Sequence, residues 1–257
     1  MTIRFNECKC EAKRALKGHY PVLIMGLLLI FGVTIAMNQL VMNLFPGMTV
    51  DSVILSEVFL FIVALLTTLL TAGMAVIYLK IIRGEAYQAS DLFIYLKNQP
   101  DRVLFSALVL TVIDLLVSIP ANYFAFTTEV GTTLEQQSVW ATRYMGLLIL
   151  SIVLNMILAL PFTFIYFLLA DHPEYTAREV LKESMRLMKG NKRTYLLLQL
   201  SFFPWAIVCV LTFYVGLLWL LPYMEMTGAV FYQKVTGMEK AEQEPEIPNE
   251  ITNSMEA

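Results

Sequence analysis

"TAREVLKESMRLMKGNKR", residues 176–193, is dense in charge yet stands between two of the most apolar runs of the chain. Thr176 and Glu179 make the T-x-x-E pattern of a capping box that opens a helix. Ala177, Val180, Leu181, Ser184 and Met188 then share one face, while Arg178, Lys182, Arg186 and Lys189 form a basic row at helical spacing. Gly190 stands just past the expected helix end, where a left-handed residue commonly closes a helix. The segment is predicted to be an amphipathic helix over 177–189, lying in a lipid headgroup region and joining two membrane spans.

The rest of the chain supports a membrane setting. Hydrophobic residues make up 58% of the 257 and charged ones 15%, against about 25% charged in soluble domains. Mean hydropathy is +0.65. A bilayer core needs ~20 mostly apolar residues per helix. Segments 20–45, 58–79, 103–124 and 144–169 each qualify. The last apolar run, 195–233, has 39 residues, too many for one span, and reads as 195–211 and 214–233 turning near "LTFYVG" (211–216). No A-x-A-like cleavage site follows the first run before "FPGMTV", so that run is expected to stay as an anchor. The fold class expected is all-α: a polytopic membrane protein of six transmembrane helices in three hairpins, residues 1–236. The acidic remainder, 237–257, reads as disordered.

Charge orients these spans. Segments 1–19, 80–102 and 171–194 and the tail hold 17 of the 18 Lys and Arg residues, and Arg143 alone falls on the other side. The positive-inside rule then places both termini in the cytoplasm. Loops 46–57 and 125–143 face outward, with Tyr123 and Trp140 at aromatic-belt positions.

The grammar of the opening segment recurs. "LKGHYPVLIMGLL", "LKNQPDRVLFSAL" and "MKGNKRTYLLLQL" each place Lys17, Lys97 or Lys189 before Gly18, Asn98 or Gly190, residues that tolerate a left-handed helix end, and then enter an apolar run. Amphipathic helices over 4–17 and 90–97 precede the first two, the second capped by Ser90. The chain reads as three units, each an interfacial helix followed by a hairpin.

"FLLADHPEYTAREVLKESMRLMKGNKRTYLLLQLSF" and "VGLLWLLPYMEMTGAVFY" resemble a bacterial membrane family catalogued as domain of unknown function 975. The likeness rests on Leu169 to Asp171 with Pro173, Leu187 to Gly190, Leu200 to Phe202, Gly216 to Trp219, Pro222, Tyr223, Ala229, Phe231 and Tyr232, with "RALKGHY" and "IRGE" (82–85) as further features. It implies a multi-pass protein of the bacterial plasma membrane.

Catalytic signatures are lacking: there is no H-E-x-x-H, G-x-S-x-G, phosphate-binding glycine loop or C-x-x-C. Neither an enzyme nor a cofactor, metal or nucleic-acid partner is expected. Cys8 and Cys10 point to different helix faces and make a poor metal clamp. Asp114, Asn155 and Glu225 fall inside spans, where a charge costs at least ~2.5 kcal/mol. They form a candidate intramembrane polar site for a proton- or cation-coupled carrier; the plainer alternative is hydrogen bonding across helix contacts. Lys13, Arg14, Lys17, Arg178, Lys182, Arg186, Lys189, Lys192 and Arg193 are candidate contacts for anionic lipid headgroups, each worth about 1 kcal/mol near an anionic leaflet. The leading expectation is a non-enzymatic module that binds lipid or a membrane partner.

Overall fold

The structure, a computed structural model, describes residues 5–45 and 50–243. Every regular element among them is helical: α1 Phe5–Ala15, α2 Tyr20–Leu44, α3 Val50–Arg83, α4 Ile94–Lys97, α5 Pro100–Thr127, α6 Leu134–Ala159, α7 Ile165–Asp171, α8 Ala177–Met188, α9 Lys192–Leu200, α10 Phe203–Leu211 and α11 Leu217–Gln243. Single 3-10 turns, Ala89–Phe93 and Leu160–Phe162, precede α4 and α7. The all-α expectation holds. Five segments are long and apolar enough to cross a bilayer: Tyr20–Leu44, Ile54–Arg83, Pro100–Thr127, Leu134–Asp171 and Lys192–Leu211.

Local signals account for most boundaries. The Glu179 N–H donates to the Thr176 hydroxyl at 3.4 Å and the Thr176 N–H to the Glu179 carboxylate at 2.7 Å, so the capping box forms. Gly18 and Gly190 both take φ +91°. The middle junction differs: Asn98 is extended and Gln99 takes φ +49°, because Pro100 opens α5 and the chain must reverse immediately before it. Ser90 does not cap the short helix either. Asp91 does so, accepting the Gln88 N–H at 2.9 Å and the Lys80 ammonium at 2.8 Å on one oxygen, while Ser90 donates to the Gln88 side chain. Pro161 sits in the break between α6 and α7, and Pro204 opens α10, but Pro222 stays inside α11 without ending it. Helix α3 begins at Val50, so most of the expected outer loop 46–57 is helical, residues 46–49 lying outside the described residues. Helix α11 likewise runs past 236, where the tail was expected to begin, and residues 244–257 lie outside the described residues.

The core gathers at the basic end of the molecule. Phe164, Ile165, Phe231 and Tyr232 are all 0% exposed there, beside Met226 and Ala229. Helix α11, too polar on average to stand among the five apolar segments, nevertheless buries every residue from Met226 to Tyr232. Helix α1 lies along it, with Cys8, Ala12 and Leu16 fully buried and Lys234 paired to Glu11 at 2.8 Å. Helix α8 buries Val180, Ser184, Leu187 and Met188. The 3-10 turn before α4 presses so closely on α3 that a Cβ on Gly73 would stand 2.1 Å from the Leu92 carbonyl oxygen. Much of the apolar side of α1, of the segment 89–97 and of α8 thus packs on the protein core, while Phe93, Leu96 and Met185 stay exposed.

Depth follows from cross-contacts. Tyr195 of α9 packs on Phe164 and Phe231 with ring centroids 6.0 and 5.3 Å apart, and its hydroxyl lies against Gly228. These residues share one layer. From Phe164, helix α6 and its break run 20 residues to Tyr144, about 30 Å, where Tyr144, Trp140 and Phe124 form an aromatic cluster. From Gly228, helix α11 runs 11 residues to Leu217, only about 16 Å. Measured along α11, the turn between α10 and α11, with Phe213 and Tyr214 at φ +51° and +65°, lies about 16 Å from the Gly228 layer.

Candidate functional site

Two of the three expected intramembrane residues meet. Asn155 Nδ2 donates to Asp114 Oδ1 at 2.6 Å between α6 and α5, beside a Ser151 hydroxyl that donates to the Val117 carbonyl at 3.1 Å. Asn155 is nine residues from Phe164, which places the pair about 13 Å below the aromatic layer. Asp114 faces outward from the bundle. Glu225 stands apart on α11, one helical turn from Gly228 and within electrostatic reach of Tyr78, Tyr166 and Tyr195. Its surface is exposed, although Met226 and Thr227 beside it are fully buried. The buried Tyr78 hydroxyl has no hydrogen-bond partner among the described residues. The three side chains do not form one site.

The basic residues are arranged differently. Lys13, Arg14, Lys17, Arg178, Lys182, Lys189, Lys192 and Arg193 are all exposed, and no ion pair joins any of them to an acid among the described residues. Arg186 is committed, donating two hydrogen bonds to Glu183 at 2.9 and 2.5 Å. Lys192 and Arg193 open α9 within one turn of Tyr195, and Lys17 precedes α2 by one turn. The Thr176 N–H and hydroxyl hold the Glu179 carboxyl below the usual carboxylate range, which fixes the start of the helix that carries Arg178 and Lys182.

A family model described as a protein of unknown function, DUF975, matches residues 1–239. The chain belongs to that family. No curated protein and no solved structure matches it.

Several of the stretches that carry the DUF975 likeness converge in space. Arg83 of "IRGE" pairs with Asp171 of "LAD" at 2.5 Å, and the Tyr232 hydroxyl of the closing "FY" donates to the other Asp171 oxygen at 3.0 Å. Next to them lies a polar cavity of about 410 Å³ lined by Arg83, Asp171, His172, Tyr175, Glu183 and Arg186. Arg102 clamps its rim, donating to the carbonyls of His172 and Pro173 at 2.8 Å each. His172 Nδ1 lies 2.8 Å from Glu174, and its ring stacks on Tyr175 at 4.4 Å. Reading the basic row and the mid-span polar residues missed this cluster; the family motifs were the signal that could have found it. Among the described residues no three His, Cys, Asp or Glu side chains gather as metal ligands.

Proposed function

We propose that this DUF975 protein is a non-enzymatic module of the bacterial plasma membrane that binds anionic lipid headgroups through a cytoplasmic collar. The carrying observation is the set of eight exposed cations without acid partners among the described residues, on or beside helices that bury Cys8, Ala12, Val180, Leu187 and Met188 in the core. Charges left over after folding are free to meet phosphates. In this reading α2, α3, α5 and α6 cross the bilayer, and the α9–α11 hairpin enters and leaves by the same face, instead of the six crossings expected from hydropathy. Both termini remain cytoplasmic on either count. The test is binding of the purified full-length chain in nanodiscs to added phosphatidylglycerol. Lys182→Gln, Lys189→Gln, Lys192→Gln and Arg193→Gln together should remove about 4 kcal/mol of headgroup attraction at low salt. Unchanged enrichment of anionic lipid around that variant would end the proposal.

A carrier is the weaker reading, because Glu225 is separated from Asp114 and Asn155.

A further inference from the structure

A cleft of about 440 Å³ separates α1 from the α10–α11 hairpin. Its upper rim carries Lys9 and Lys13, one turn apart on α1, with Tyr20 beyond them. Its walls are Trp205, Val208 and Cys209 from α10, and Trp219, Leu220 and Tyr223 from α11. The Lys9 ammonium is aimed inward, 4.4 Å above the Phe202 ring and 3.4 Å from the Ser201 carbonyl. Partial burial lowers its pKa, as expected for an ammonium withdrawn from water. Lys13 is exposed at the mouth and pairs with no acid among the described residues. The wall is apolar for seven residues along each helix, from Trp205 to Thr212 and from Tyr223 to Gly216, or about 10 Å. Trp205, Val208 and Trp219 keep 61%, 48% and 51% of their surface exposed.

Lys9 and Lys13 stand at one end of this cleft and its apolar walls run from them toward the turn between α10 and α11, so that in the reading proposed above its lower end opens toward the bilayer interior. Cations above and an apolar slot below match one occupant: an anionic glycerophospholipid, its phosphate on Lys13 and Lys9 and one acyl chain along Val208, Cys209 and Trp219. We infer that this cleft is a dedicated site for a single such lipid. A zwitterionic lipid would bring an ammonium against the two lysines. A free phosphate would leave the apolar slot empty.

The inference rests on the lipid-binding reading but is separable from it, since the collar variant described above leaves the cleft intact. Native mass spectrometry of the full-length chain in mild detergent, titrated with phosphatidylglycerol or phosphatidylcholine, counts retained lipids. The wild-type chain should hold one phosphatidylglycerol more tightly than the others and prefer it to phosphatidylcholine. Lys13→Gln should reduce that preference by about fivefold. Val208→Trp, which fills the slot, should abolish the tight lipid while leaving Lys9 and Lys13 in place. Should the tryptophan variant not fold, Lys13→Gln at the exposed rim still decides the matter. Retention of the same tight lipid by both variants would overturn the inference, as would equal retention of the two lipids by the wild-type chain. Survival of the tight lipid in the collar variant supports it; loss there shows that the collar holds the lipid and refutes a separate site.

Discussion

Replacing Ser184 with alanine tests how the amphipathic helix is held. Pro161 ends α6, and the chain passes through a 3-10 turn before α7 resumes at Ile165. That break leaves backbone groups without helical partners in a region where Phe164 is fully buried. Ser184 of α8, itself 0% exposed, supplies both partners. Its hydroxyl donates to the Pro161 carbonyl at 2.9 Å and accepts the Phe164 N–H at 3.3 Å. Alanine retains the packing of the β-carbon but leaves one buried donor and one buried acceptor unmet, each at about 1–3 kcal/mol. Allowing for partial relaxation, Ser184→Ala should destabilise the protein by about 2–4 kcal/mol. Thermal unfolding of the purified chain in a mild detergent reads this directly. Ser184→Thr, which keeps the hydroxyl, should lose less than the alanine variant. Because α8 carries Arg178 and Lys182, the loosened helix should also bind anionic lipid more weakly. An alanine variant within about 0.5 kcal/mol of the wild type would refute the claim that Ser184 seals the proline break.

Two further outcomes are expected. Burial opposes the charge of Asp91, but the Lys80 ammonium and the Gln88 N–H outweigh it and hold its carboxyl below the usual range. A lowered folded value means that its stabilisation is complete at neutral pH and is lost as pH falls from about 4 through that lowered value. Asp91→Asn should therefore flatten the acid-side fall of Tm, and parallel slopes in the two proteins would contradict the assignment. Phe213 lies at the hairpin tip with 91% of its surface exposed. In a chain lacking Cys8, Cys10 and Cys209, Phe213→Cys should resist a membrane-impermeant thiol reagent on intact cells while Arg143→Cys reacts; equal labelling would restore a full crossing.

Much of the architecture was legible from short-range rules. The capping box at Thr176, the helix-closing Gly18 and Gly190, and the turn near 211–216 all depend on neighbours within a few residues, and all formed. Hydropathy located the five segments long and apolar enough to cross a bilayer, because that match is made along each segment's own length. The amphipathic pattern of 177–189 was correct as a pattern, yet it could not say whether lipid or protein would cover the apolar face.

Contact across the chain decided the rest. Asn98 and Gln99 exchanged roles because Pro100 constrains the reversal, and Asp91 displaced Ser90 as the cap because Lys80, brought back along α3, reinforces it. Arg83, Asp171 and Tyr232 are separated by 88 and 61 residues, and no local rule joins them. The pairing of Asp114 with Asn155, the separation of Glu225 and the cleft beneath Lys9 and Lys13 depend likewise on where helices cross. The sequence by itself determined which segments are helical, the caps and turns that close several of them, and which end of the molecule is basic, since those follow from backbone geometry and composition along one stretch of chain. Only the tertiary structure decided what each face touches and how deep the last hairpin reaches, because burial and depth are set by distances between segments far apart in sequence.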